Sequence, residues 1–129
     1  MKYNVILEKL CGDEVVERRE IHNAVNYSGV EQLLKWIVVY NADGGRGFNK
    51  VEFLNGTTSL GIYSGSVSYT AGNTSYSVTA EYTASGSKTI DNLKLWDNSE
   101  SYVLATTSFS AYNLNDEEKL KVTWTISFS

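Results

Sequence analysis

The side chains that could do chemistry are few in this chain, and their spacing does not bring them together. His22 is the lone histidine. Imidazole is the commonest acid, base and metal ligand at neutral pH, but one histidine cannot build a histidine-based metal site, and no serine stands in a G-x-S-x-G elbow. His22 therefore reads as a strand-end histidine bonding to nearby backbone. Cys11, the only cysteine, falls in the turn Cys11-Gly12-Asp13 and reads as a packing or incidental thiol. The loop Asn41-Ala42-Asp43-Gly44-Gly45-Arg46-Gly47 has neither the phosphate-loop spacing nor the regular oxygen ligands of a calcium loop. Asp116-Glu117-Glu118 could attract a divalent cation, but carboxylates adjacent along a chain seldom converge on one ion, so a solvated loop is expected. No catalytic residue, cofactor site or metal site is expected, and the chain is not expected to be an enzyme, because no pair of titratable groups is spaced to be driven to different pKa values.

Aromatic residues are the richer resource. Three Trp and nine Tyr help bring the aromatic share to 12%, and flat rings serve both carbohydrate-binding sandwiches and protein interfaces. Trp36 and Trp124 lie on apolar faces and are expected in the core. Trp96 stands beside Asp97 and Asn98 at a strand end, so Trp96, Asp97 and Asn98 are the candidate surface contact. Asn26-Tyr27-Ser28, Asn55-Gly56-Thr57 and Asn73-Thr74-Ser75 match the glycosylation pattern, which means little where no secretion signal is read.

The elements that must position these residues are mostly strands. Lys2 to Leu10 alternates, Cys11-Gly12-Asp13 breaks the pattern, and Glu14 to Ile21 resumes it with one wet face, which together make an N-terminal hairpin. Ser28 and Glu31 have capping-box spacing, and Val30, Leu33, Leu34, Ile37 and Val38 form one apolar stripe, predicting a single α-helix over about residues 29–40. Beyond Phe48 the predicted strands are 49–54, 61–71, 75–82, 89–96, 102–109 and 120–128. Tyr76, Val78, Ala80 and Tyr82 share one face, as do Leu120, Val122, Trp124, Ile126 and Phe128. Strands without interleaved helices predict a mainly β fold: an antiparallel β-sandwich or jelly-roll-like barrel with one helix at its edge or end.

Composition sets the outer bounds. A chain of 129 residues, 42% hydrophobic and 20% charged, is one domain, residues 1–129, and is expected to fold rather than stay disordered. A net charge of -4 repels a phosphate backbone, so no nucleic-acid partner is expected. No apolar run is long enough to span a bilayer, and the N-terminus has no signal-peptide pattern, so the expectation is a soluble protein made in a cytoplasm with no membrane partner. Hydroxyl residues are segregated: Ser28 is the only Ser or Thr before Thr57, whereas 14 Ser and 11 Thr follow.

Two stretches carry a family resemblance. His22-Asn23-Ala24-Val25, followed by Gly29 and the helical pattern, resembles the "H-N-x-V, then Gly, then amphipathic helix" opening of small virion structural proteins of tailed bacteriophages. Val51 to Thr57 stands where an apolar strand ending in Gly-Thr follows in that group, and Leu120 to Phe128, centred on Trp124, is similar to its "I-T-W-T-I" last strand. Ile90 to Phe109 resembles its penultimate hairpin. Tyr27 departs from the pattern, where an Asn often stands. The likeness covers about half the chain and implies a capsid-decorating or auxiliary head protein. Such a protein would be made in the host cytoplasm, reside on the virion, and contact the major capsid protein, other head or tail components, or its own copies as a homo-oligomer. The alternative is a tail- or head-fibre component with a carbohydrate- or receptor-binding sandwich.

Overall fold

The computed structural model describes residues 2–24, 47–69 and 75–127. Among these described residues there are nine strands: β1 (Lys2–Cys11), β2 (Glu14–Ala24), β3 (Phe48–Asn55), β4 (Thr58–Ser64), β5 (Ser66–Ser68), β6 (Ser75–Thr83), β7 (Lys88–Asp97), β8 (Val103–Leu114) and β9 (Lys119–Ser127). They form two antiparallel sheets. Sheet A runs β2-β1-β9-β6-β5 and sheet B runs β4-β3-β7-β8. The predicted helix, and with it Val25, Gly29 and Trp36, lies outside the described residues.

Alternation builds the core. On β9, Leu120, Val122, Trp124 and Ile126 are fully buried, and on β6 Tyr76, Val78, Ala80 and Tyr82 join them, each set on one face as a strand's period of two requires. Val51 and Phe53 of β3 and Leu93 and Leu95 of β7 supply the opposing face. Phe53 meets Tyr82 with ring centroids 5.5 Å apart, and Tyr3 meets Trp124 at 5.8 Å. The two apolar faces therefore pack on one another, an arrangement consistent with a β-sandwich.

Turn chemistry follows the expected places. Gly12 and Gly56 adopt φ of 65° and 60° in the tight loops closing β1–β2 and β3–β4, the sign that a primed two-residue hairpin turn requires. The strand predicted over 61–71 is corrected: its place is taken by β4, which begins earlier, and by β5, which belongs to the other sheet. The reason is Gly65. Its N–H donates to Asn49 O at 2.8 Å, and a Cβ there would fall 2.3 Å from Val78 Cγ1. At this crossing the backbone passes so close to β6 that position 65 has no room for a side chain. β8 also outruns its predicted end at Phe109, because its pairing with β7 shifts between Ile90 and Asn92 and resumes beyond the irregularity.

The turns among the described residues divide between two ends. The β1–β2 and β3–β4 turns and the links 84–87 and 115–118 gather at one end. At the other lie the β7–β8 turn, the C-terminus of β2 and the starts of β3 and β6, the last two joined by Tyr76 Oη donating to Phe48 O at 2.9 Å.

Candidate functional site

The β7–β8 turn is organised by one carboxylate. Asp97 ends β7, its N–H donating to Tyr102 O at 3.0 Å while its carbonyl accepts Glu100 N–H at 2.9 Å. Its Oδ1 accepts the N–H groups of Ser101 at 2.8 Å and Tyr102 at 2.6 Å. Its Oδ2 accepts the Ser99 N–H at 3.2 Å and the Ser99 hydroxyl. An Asp whose oxygens gather successive backbone N–H groups replaces the ladder that stops at a strand end, which is why this residue type favours turns. Desolvation of the carboxylate pushes its pKa upward. The hydrogen bonds from Ser99, Tyr102 and Ser101 outweigh it and hold the group down at about 2. Asn98 N–H donates to Gly47 O at 3.0 Å, fastening the turn to the residue before β3.

The turn presents Tyr102, which is 71% exposed, next to Val103 at 40%. Glu100, held at φ 58°, sets its carboxylate 3.6 Å from Lys50 Nζ. The expected contact residue behaves differently. Trp96 is half-buried on sheet B, and its indole N–H donates to Glu52 Oε1 at 3.0 Å. Glu52 is itself buried, at 8% exposure. Trp96 is therefore a tethered ring, and the freely presented one is Tyr102, which sequence reasoning had placed inside the next strand. The signal that could have found it is its position directly after Asp97-Asn98-Ser99-Glu100-Ser101, a run of turn formers too long to be strand.

The remaining candidates are not gathered. His22 is exposed on β2 with Nε2 3.3 Å from Glu20 Oε1. Its partner is a same-face carboxylate rather than the backbone expected, because residues two apart on a strand share a face. Asn23 lies in β2 and Trp124 lies in the core, so the resemblance motif splits between an edge strand and a buried centre. Cys11 is exposed at the opposite end of β1. The acidic run 116–118 braces the far end: Asp116 Oδ1 accepts Gly86 N–H at 2.7 Å, Glu118 Oε1 accepts Asn115 N–H at 2.6 Å, and Lys9 Nζ lies 3.7 Å from Glu118. Among the described residues no three His, Cys, Asp or Glu groups come together in a way that could hold a metal ion, and no helix is long and apolar enough to cross a membrane.

Comparison with protein-family models, curated proteins and solved structures finds no match to this chain.

Proposed function

We propose that this protein works by lasting contact rather than turnover, as a β-sandwich component of a bacteriophage virion, of the capsid-decorating or auxiliary head type that its sequence resembles. The observation that carries the contact reading is the β7–β8 turn: Asp97 holds the backbone around an aromatic residue that is left 71% exposed. A large ring on a preordered loop is suited to anchoring, because little backbone freedom remains to be lost on binding. The partners in this reading are the major capsid protein or another head or tail protein, and copies of the chain itself. An interface of about 800 Å² on each side is needed for stable attachment, of which the Tyr102 end would be the centre.

A second reading, a fibre component that binds a carbohydrate or receptor, rests on Trp96. The Glu52 carboxylate fixes its indole at 3.0 Å, and a fixed ring on a sheet face is a platform on which a sugar can stack.

The test is co-sedimentation with particles of the phage type that encodes the chain. Wild-type protein is expected to pellet with particles and Tyr102→Ser to remain in the supernatant. Loss of binding in Trp96→Phe but not in Tyr102→Ser favours the second reading, and no particle binding by the wild type removes the first.

A further inference from the structure

Two exposed turns carry a chemical hazard that has no part in the contact reading. An asparagine followed by glycine or serine can close a five-membered ring on itself. The next residue's backbone nitrogen bonds to the side-chain carbonyl carbon, the bond from that carbon to the side-chain nitrogen breaks, and ammonia leaves. Water then opens the imide at either carbonyl, which leaves aspartate or isoaspartate. Among the described residues this pairing occurs at Asn55-Gly56 and at Asn98-Ser99, and both asparagines are exposed. The attacking nitrogen must first lose its proton, because in the neutral peptide its lone pair is delocalised into the carbonyl.

At both places that proton is held by an aspartate. Gly56 N–H donates to Asp91 Oδ1 at 2.7 Å, and Ser99 N–H donates to Asp97 Oδ2 at 3.2 Å. We infer that Asp91 and Asp97 guard these two turns against deamidation of Asn55 and Asn98. The carboxylate acts twice: its hydrogen bond is lost when the N–H ionises, and its charge repels the amide anion that must form. A break in strand pairing brings Asp91 to its post. Ile90 pairs with Tyr112 and Asn92 with Ser108, so Asp91 stands in the skipped register of β7, where an irregularity re-aims a side chain. Leu54 pairs with Asn92, which sets Asp91 beside the β3–β4 turn. Asn55 is restrained further as a ladder residue opposite Thr58, since ring closure needs its side chain folded against the following nitrogen. What the guard preserves is turn length: isoaspartate adds one backbone atom at a tight hairpin turn in which Gly56 holds φ 60°, and hairpin register follows from loop length.

Peptide mapping by mass spectrometry after incubation in mildly alkaline buffer tests this, because it resolves asparagine, aspartate and isoaspartate at positions 55 and 98. Asn55 of the folded wild type is expected to react about tenfold or more slowly than in the guanidinium-unfolded chain, the factor that a hydrogen bond to a charged acceptor supplies. Asp91→Ala is expected to return about that factor at Asn55 and leave Asn98 unchanged, and Asp97→Ala to do the reverse. Asp91→Asn, which keeps an acceptor oxygen without the charge, is expected to fall between, and it decides the matter if Asp91→Ala does not fold. Gly65→Ala, which strains the chain at the other end of β4, separates guarding from general loosening and is expected to leave the Asn55 rate as in wild type. The proposal is overturned if folded wild type reacts as fast as the unfolded chain, if no folded Asp91 variant speeds the reaction at Asn55, or if Gly65→Ala speeds it as much as the Asp91 variants do.

Discussion

Arg19 holds its guanidinium carbon 4.0 Å from the centroid of the Tyr112 ring while donating to Ser110 O and to Glu17 Oε1, the latter at 2.7 Å. One side chain of the outermost strand of sheet A thus closes over the edge of sheet B. A cation on a ring face contributes about 0.5–1 kcal/mol where exposed and more when partly desolvated, and a hydrogen bond from a charged donor adds about 1.5–3 kcal/mol. Arg19→Met, which keeps an apolar stem, is expected to lower unfolding stability by about 2 kcal/mol, measured by urea denaturation, with Arg19→Lys intermediate because an ammonium lacks the planar fork.

The hydroxyl of Tyr112 has no hydrogen-bond partner among the described residues. Burial pushes its pKa up to about 12, with Arg19 lowering and Glu17 raising it. The sign follows from which state holds the proton: the folded protein keeps it to higher pH than the unfolded chain, so stability is unaffected below about pH 10 and falls as pH rises from there through about 12. Tyr112→Phe is expected to be neutral or slightly stabilising at pH 7, since it removes an unpaired polar atom, and to lose less stability than wild type across that alkaline range. A steeper alkaline loss in the variant contradicts the assignment.

Asp97 sets the acid limb. Its folded pKa of about 2 lies below the ordinary range of an aspartate carboxyl, so its contribution is present above that range and disappears as pH falls through about 2. The thermal midpoint of the wild type is expected to drop between pH 4 and 2 more than that of Asp97→Asn, which keeps an acceptor oxygen but has no charge to neutralise. Carbon-13 titration of the Asp97 carboxyl group gives the value directly.

Gly65 admits no side chain. Besides Val78 Cγ1, the carbonyl oxygens of Asn49 and Thr79 lie 3.1 and 3.2 Å from where a Cβ would stand. Gly65→Ala is expected to destabilise by about 1–3 kcal/mol, the cost of overpacking. Val78→Ala in the same chain removes the nearest clash but not the carbonyls, so partial rescue in a double-mutant cycle is the expected outcome.

Glu117 adopts φ 68° between two links that cross-brace the far end, its N–H donating to Ala84 O at 2.8 Å. A left-handed conformation costs a residue with a Cβ roughly 1–2 kcal/mol, part of which glycine returns as extra freedom in the unfolded chain. Glu117→Gly is expected to raise the thermal midpoint slightly, and a fall would mean that the carboxylate contributes more than the strain it accompanies.

How far the fold could be read depended on where each residue's neighbours lie in the chain. The alternation of Leu120, Val122, Trp124 and Ile126 declares a strand with one buried face, because a strand's period is local. Gly12 and Gly56 declare their turns for the same reason. Gly65 does not: among serines and threonines it looks ordinary, and the demand on it comes from Val78 and Asn49, which only folding brings near. Arg19 reads as part of a wet strand face, and its closure over Tyr112 depends on the sheets having unequal widths. At the candidate site, Asp97 was legible as a turn former beside an aromatic residue. Which ring it would present was not, because Trp96 is drawn down by Glu52, a partner 44 residues away in the chain.

Quantitative mass spectrometry of purified particles tests the contact reading most directly. The chain is expected among the virion proteins at a copy number comparable to that of a lattice coat, and in undiminished amount after washing. Its absence from washed particles, with the protein recovered free in the infected-cell lysate, contradicts the account.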